Sequence, residues 1–129
     1  SSILLPLSSR HTDIVEQAKQ YVLDNIDKKI MLQDAARYIC ISPGYLSAIF
    51  KKQYGENFVD FINRSKMERA CQLIRQGDFR ISQISYMLSY ENAYYLTRVF
   101  KRYVGMTPSE YQDRRSNGEE VVMEAPDKG

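Results

Sequence analysis

The heptapeptide LSAIFKK at residues 46–52 returns fifty residues later as LTRVFKR at residues 96–102, and a glycine follows each copy, at Gly55 and Gly105. The similarity extends upstream at an offset of forty-nine residues, which leaves one extra residue in the turn of the second copy. The aligned upstream pairs are Leu32 with Ile81, Ala35 with Ile84, and Ala36 with Ser85. Any two amphipathic helices share periodicity, but a helix, a turn, a second helix and a terminating glycine at nearly constant spacing indicate a duplicated unit. Two copies are too few for a solenoid, so the repeat predicts two small lobes.

Apolar residues recur at helical spacing nearly throughout the chain, and no clean period-two strand pattern runs between turn signals. Ser42, which precedes a proline, is a strong helix N-cap. Asn57 is expected to cap a long helix that reaches about Gln76. We expect Asp13 to cap the first helix, which should end near residues 27–28.

Each copy combines a short helix, a turn of three to five residues, and a second helix with a polar start and a basic C-terminal half. This is the sequence form of a helix-turn-helix, whose second helix lies in the major groove of DNA. The predicted fold is therefore all-α, with two helix-turn-helix lobes bridged by a long central helix and about seven helices in all. Two reading helices predict contact with two DNA segments about one helical turn, or ~34 Å, apart.

Five segments are expected along the chain. They are a flexible leader or cut linker at residues 1–12, the first helix-turn-helix lobe at 13–55, the linker helix at 56–77, the second lobe at 78–115 and an acidic disordered tail at 116–129. The tail holds four acidic residues and one lysine, so residues 1–115 carry 17 basic against 12 acidic residues, a net charge of +5. A charge of that size favours nucleic-acid binding only weakly, and its distribution matters more.

Composition excludes several functional classes. The 129 residues are 43% hydrophobic and 26% charged, and they contain neither a membrane-length apolar run nor a signal peptide, so we expect a cytoplasmic domain. His11 is the only histidine, which excludes a histidine triad and a multi-histidine metal site. Cys40 and Cys71 lack metal-site spacing and are expected to be small buried hydrophobic residues. With no phosphate loop or activated nucleophile in the sequence, we expect no enzyme activity, cofactor or metal.

Two segments carry a family resemblance. The sequence ISQISYMLSY at residues 81–90, followed by YLTRVFKRYVGMTPSEY at residues 95–111, resembles the signature of the AraC/XylS-type bacterial transcription regulators. The first copy, from Ser42 through Gly55, resembles the weaker first helix-turn-helix of that family, and the resemblance covers about residues 13–115. It implies a DNA-binding output domain, commonly of an activator, with a sensor part missing from this chain.

The resemblance also implies partners. Double-stranded operator DNA is the first, and RNA polymerase is a second partner of the whole regulator. We expect this fragment to be a monomer without membrane contact, and dimerisation of the full-length protein to reside in the missing part.

The sequence departs from the family pattern at four positions. Cys40 and Ser89 stand where the two turns usually have glycine, so each must accept the turn dihedral angles, at modest cost if φ is positive. Ser85 replaces a small alanine and still suits a tight helix crossing. Lys66 stands where the family commonly has arginine, and an ion pair there is expected to be weaker.

The second reading helix divides into an inward face of Leu96, Val99, Phe100 and Tyr103 and an outward face of Asn92, Tyr94, Tyr95, Arg98, Lys101 and Arg102. Arg98 is expected to read guanine because its planar fork bridges O6 and N7, although a solvated arginine on a helix face is the ordinary alternative. Tyr94 and Tyr95 either contact thymine methyls or phosphate or lie at the core edge. Asn92 either reads a base or caps the helix. The expected phosphate contacts are Thr97, Lys101 and Arg102.

The first reading helix is chemically poorer. Its candidates for base contact are Gly44, Tyr45, Ser47 and Ala48, and its candidates for phosphate contact are Lys51 and Lys52. Ser42 and Ser82, at the starts of helices, are further phosphate candidates. Because no arginine, asparagine or glutamine occupies a reading position, we expect weak sequence discrimination here and most of it in the second lobe.

A helical protein-interaction module that binds an acidic partner is the alternative function. Ten tyrosines and the outward cations favour it, and it predicts binding without nucleic acid. It gives no reason for the repeat to preserve a turn followed by a basic helix.

Overall fold

The computed structural model describes residues 7–116 and residue 118. Seven α-helices occupy this part of the chain: α1 Leu7–Asp24, α2 Leu32–Ile39, α3 Pro43–Tyr54, α4 Phe58–Gln76, α5 Ile81–Met87, α6 Ala93–Val104 and α7 Pro108–Ser116. The described residues contain no strand, which confirms the all-α prediction. Of the predicted leader, residues 1–6 lie outside the described residues, as does nearly all of the predicted tail. None of the described helices has the length and apolar character needed to cross a membrane.

Helix α1 starts earlier and ends earlier than the sequence predicts. It begins at Leu7, so Asp13 is an exposed residue inside the helix, the prediction that it caps the helix is wrong, and residues 7–12 are helical. No glycine or proline interrupts the chain between Leu7 and Asp24, so the backbone has no cause to stop at Asp13. The helix ends at Asp24, where the Asn25 side-chain nitrogen donates to the Tyr21 carbonyl at 2.8 Å.

The other helix boundaries confirm the predicted capping residues. The Ser42 hydroxyl oxygen accepts from the Tyr45 amide at 3.2 Å, and Gly55 ends α3 in the left-handed region with φ of 89°. The Asn57 side-chain oxygen accepts from the Asp60 amide at 2.8 Å. These side chains satisfy amides that the first turn of a helix leaves without partners.

The described chain forms two compact units, and the first comprises residues up to Ile26 together with Ile30–Ile62. Helices α1, α2 and α3 pack against one another there, and α4 contributes its first turn. The buried core is Val15, Ala18, Val22, Ala35, Ala36, Leu46, Ile49, Phe50, Phe58, Phe61 and Ile62. Phe50 is its aromatic centre, with ring centroids 5.1 Å from Phe58 and 5.4 Å from Phe61. This core holds α3 with its opposite face exposed.

The second unit comprises Asp27–Lys29 and the residues from Asn63 onward. The rest of α4 packs there with α5, α6 and α7 around a core of Met67, Ala70, Cys71, Leu73, Ile74, Ile84, Leu88, Leu96, Phe100, Tyr103, Val104 and Tyr111. Burial raises the pKa of the Cys71 thiol, as expected for an inert core cysteine. The prediction that Cys40 is also buried is wrong, because it occupies the exposed end of α2.

Candidate nucleic-acid interface

The two turns have the same backbone geometry. Cys40 has φ of 68° and Ser89 has φ of 60°, so both stand in the left-handed region without being glycine. In each copy the residue after this position donates its amide to a carbonyl five residues back, Ile41 to Ala36 at 3.0 Å and Tyr90 to Ser85 at 2.9 Å. These bonds belong to the Schellman arrangement that ends helices. The cost expected from the two missing glycines is therefore present, at roughly 1–2 kcal/mol each.

Lys66 ties the second turn to the rest of its unit. Its side chain is only 4% exposed, and its Nζ donates to the Leu88 carbonyl at 2.6 Å and to the Lys28 carbonyl at 2.7 Å. The Ser89 hydroxyl donates to the Asp27 carbonyl at 2.7 Å, so a second bond joins the same two segments. Burial lowers the pKa of Lys66 to about 8, and the Asp27 carboxylate opposes that change. The lysine thus links the turn that precedes α6, through the Leu88 carbonyl, to the segment after α1, through the Lys28 carbonyl.

Helix α6 exposes the face that the sequence predicts. Leu96, Phe100 and Tyr103 are buried, Val99 is half-buried and packs against the core, and the exposed side chains are Asn92, Tyr94, Tyr95, Arg98, Lys101 and Arg102. The predicted division of the helix into two faces is confirmed. The contacts of these side chains with DNA remain predictions.

Arg98 is the side chain on this face best suited to recognition. It is exposed, it makes no ion pair with any carboxylate in the described part of the chain, and its guanidinium carbon lies 5.9 Å from the centroid of the Tyr94 ring. Tyr94 is 71% exposed. Lys101 and Arg102 follow in the last turn of α6, where cations also suit the negative end of the helix dipole.

Two residues of α6 are already engaged within the helix. The Asn92 side-chain oxygen accepts from the Tyr95 amide at 2.8 Å, so of the two alternatives for this residue the cap is the one formed. Thr97 is half-buried and its hydroxyl donates to the Ala93 carbonyl at 2.8 Å, which uses the proton that a phosphate would accept. Tyr95 is 49% exposed, and its ring lies 5.7 Å from that of Tyr90.

Helix α3 presents the poorer surface expected from its sequence. Gly44, Ala48, Lys51 and Lys52 are exposed, Ser47 is half-buried, and Tyr45 is 44% exposed. The Lys51 Nζ lies 3.4 Å from the Gly55 carbonyl. Ser42 is exposed and uses its oxygen as the cap acceptor, which leaves its proton for a phosphate. Ser82 is exposed in the first turn of α5.

The sequence gives no indication of one contact at this surface. The His11 ring lies edge-on to the Tyr45 ring, with centroids 6.2 Å apart. The contact exists because α1 extends to Leu7 and so brings His11 beside the start of α3. The only sequence signal for that extension is the lack of glycine and proline between Leu7 and Asp13.

The chain resembles known proteins over most of its length. A family described as a helix-turn-helix domain matches residues 35–114. The regulatory protein PocR of Salmonella typhimurium is 29% identical over 104 residues, which are 81% of this chain and 34% of PocR. The arabinose operon regulatory protein of the same organism is 28% identical over 108 residues, 83% of this chain and 37% of that protein. The chain thus spans about a third of the length of these curated relatives.

A solved structure agrees with these matches. The C-terminal domain of AraT, a response regulator from Geobacillus stearothermophilus, has a TM-score of 0.76 and 27% identity, with 93% of this chain and 96% of that chain covered. The matched residues include both turns and the helices α3 and α6. The chain therefore belongs to the AraC/XylS-type family of transcription regulators and carries the DNA-binding helix-turn-helix motifs of that family.

Proposed function

We propose that this chain recognises specific operator sequences in double-stranded DNA and is the output domain of a bacterial transcription regulator of the activator type. One observation carries the proposal: the outward face of α6 presents an exposed arginine, free of ion pairs within the described residues, one turn before two further cations. Planar donors near the start of a recognition helix suit base edges, and cations further along suit phosphates.

We propose that α3 and α6 have different roles in DNA binding. Arg98 supplies the main base contact and Lys101 with Arg102 supplies phosphate contacts, whereas α3 adds backbone contacts through Lys51 and Lys52 and little discrimination. The turn before α6 supports this assignment, because hydrogen bonds from Lys66 and Ser89 join it to other segments of its unit. Precise placement is what hydrogen-bonded base recognition requires.

The whole regulator is proposed to act in the cytoplasm, to contact RNA polymerase, and to dimerise through parts that this chain does not include. The support is the family membership and the third of their length over which the curated relatives match. Activation is the outcome that the family resemblance implies.

The test is selection of bound duplexes from a random double-stranded DNA library by the 129-residue chain, repeated across a salt series. We expect a motif in two parts about one helical turn apart, and Arg98→Ala should relax one position at a cost of ~1–3 kcal/mol. Arg69→Ala is the matched control, since Arg69 is an exposed arginine on α4, outside both recognition helices. It should leave the selected motif unchanged. Salt-sensitive binding without any motif would contradict the proposal.

A further inference from the structure

Tyr94 and Arg98 form a single unit on the exposed face of α6. They are four residues apart, so their side chains lie above one another on the helix, and the guanidinium carbon is 5.9 Å from the ring centroid. Arginine stacked over an aromatic ring gains cation–π attraction and loses rotamer freedom in advance of binding. The ring therefore holds the guanidinium fork in a restricted set of positions.

The spacing of this unit limits which base pairs its two side chains can contact together. Residues four apart rise about 6 Å along a helix axis, and base pairs are stacked about 3.4 Å apart. Tyr94 is the second residue of α6 and Arg98 the sixth, within the N-terminal half that contacts base edges in helix-turn-helix complexes. The two residues are therefore separated by less than two base-pair steps, and they reach base pairs that lie one or two steps apart.

The two side chains have different chemical preferences. The arginine fork donates two parallel hydrogen bonds, which match guanine O6 and N7. The tyrosine ring is a large apolar surface, and the C5-methyl group of thymine is the apolar feature that the major groove displays. We propose that Tyr94 and Arg98, acting as one stacked unit, read a thymine and a guanine that lie one or two base-pair steps apart. This inference rests on the proposed function.

Two comparisons within the chain support the assignment. The first copy has Gly44 and Ala48 at the corresponding positions, so α3 lacks both the fork and the ring. Tyr95, the other exposed tyrosine of α6, is less available than Tyr94, because it is 49% exposed against 71% and its ring packs beside Tyr90. The stacked unit is therefore a property of the second copy.

The test pairs protein variants with altered bases in the duplex selected by the wild-type chain. Replacing the guanine with 7-deazaguanine, or with adenine, removes acceptors of the fork, and replacing the thymine with uracil removes only the methyl group. For the wild-type chain we expect adenine to weaken binding about 5- to 150-fold and uracil to weaken it about fourfold. Fluorescence anisotropy at one fixed salt concentration measures each dissociation constant.

The variants separate the roles of ring and fork. Tyr94→Ser removes both the ring and the apolar surface, so it should abolish the difference between thymine and uracil. It should also reduce the preference for guanine about 2- to 5-fold, although it leaves Arg98 in place. Tyr94→Phe, which keeps the ring, should restore both preferences. Arg98→Lys keeps the charge but lacks the planar fork, so it should lose most of the wild-type preference for guanine. Both side chains are exposed, so circular dichroism should show unchanged folding.

Three results would overturn the inference. The first is that Tyr94→Ser leaves the guanine and thymine preferences as they are. The second is a selected motif that has no guanine and thymine within two base-pair steps and does not change with Arg98→Ala. In that case sequence-specific binding stands and only the stacked unit fails. The third is that the wild-type chain selects no motif, in which case the proposed function fails with it.

Discussion

Substituting Lys66 with methionine should change how the stability of the chain depends on pH. The buried amine has its pKa lowered from 10.5 to about 8, whereas a lysine in the unfolded chain keeps its ordinary pKa. Between these two values the unfolded state binds a proton that the folded state does not. The free energy of unfolding therefore rises with pH in this window, and the contribution of Lys66 to stability is least favourable below about pH 8.

The magnitude follows from the size of the change. A difference of one pKa unit is 1.36 kcal/mol, so the full displacement adds about 2 kcal/mol to the free energy of unfolding between pH 7.5 and pH 10. Relaxation and water access weaken electrostatic effects in folded proteins, so we expect about 1–2 kcal/mol. Lys66→Met keeps the length of the side chain and removes the titrating group.

The assay is urea unfolding of both proteins, followed by circular dichroism, at intervals from pH 7.5 to pH 10. The quantity of interest is the difference between the two free energies of unfolding, because other groups, such as the Cys71 thiol, then cancel. Tyr90 is near the amine, with its ring centroid 5.7 Å away, but burial raises the pKa of its hydroxyl and so removes its titration from this window. Parallel pH profiles for the two proteins would refute the reasoning.

Two further predictions concern the duplicated unit. The double variant Gly44→Tyr, Ala48→Arg transfers the stacked unit to α3, where a Cβ on Gly44 meets no atom within 4 Å. It should create a preference for guanine in the other half of the motif, measurable by repeated duplex selection. An unchanged motif would show that α3 does not reach the base edges. Cys40→Gly should stabilise the chain by about 0.5–1 kcal/mol in urea unfolding. Glycine accepts φ of 68° without the strain of roughly 1–2 kcal/mol, but it loses about 0.5–1 kcal/mol more conformational entropy on folding. Ser89→Gly should stabilise it less, because it also removes the bond to Asp27, and equal gains would contradict this account.

Local signals were enough to predict most of the fold. Ser42, Asn57 and Gly55 are short-range signals, since each acts on backbone groups within four residues, and all three behave as predicted. The inward and outward faces of α6 follow equally from spacing alone. The start of α1 was predicted wrongly from local signals. Asp13 is able to cap a helix, but a capping side chain does not set the N-terminus when the residues before it can also form a helical turn.

The features that sequence reasoning missed depend on contacts between distant residues. Lys66 was expected to make a weaker ion pair, yet its Nζ donates to carbonyls 22 and 38 residues away, and Ser89 reaches a carbonyl 62 residues away. Every residue has a backbone carbonyl, so the pattern of side chains does not predict which carbonyl a distant side chain will bind. The contact of His11 with Tyr45 was missed for the same reason.

The two copies share what the backbone needs and differ in what DNA would contact. Both turns place a residue other than glycine in the left-handed region, both recognition helices begin with a polar cap, and both end at a glycine. At the outward positions the second copy has Tyr94 and Arg98 where the first has Gly44 and Ala48. Similar geometry with different reading chemistry is what a domain requires if one helix discriminates sequence and the other mainly holds the backbone. The double variant Gly44→Tyr, Ala48→Arg tests this division of roles, because it changes the outward side chains of α3 to those of α6.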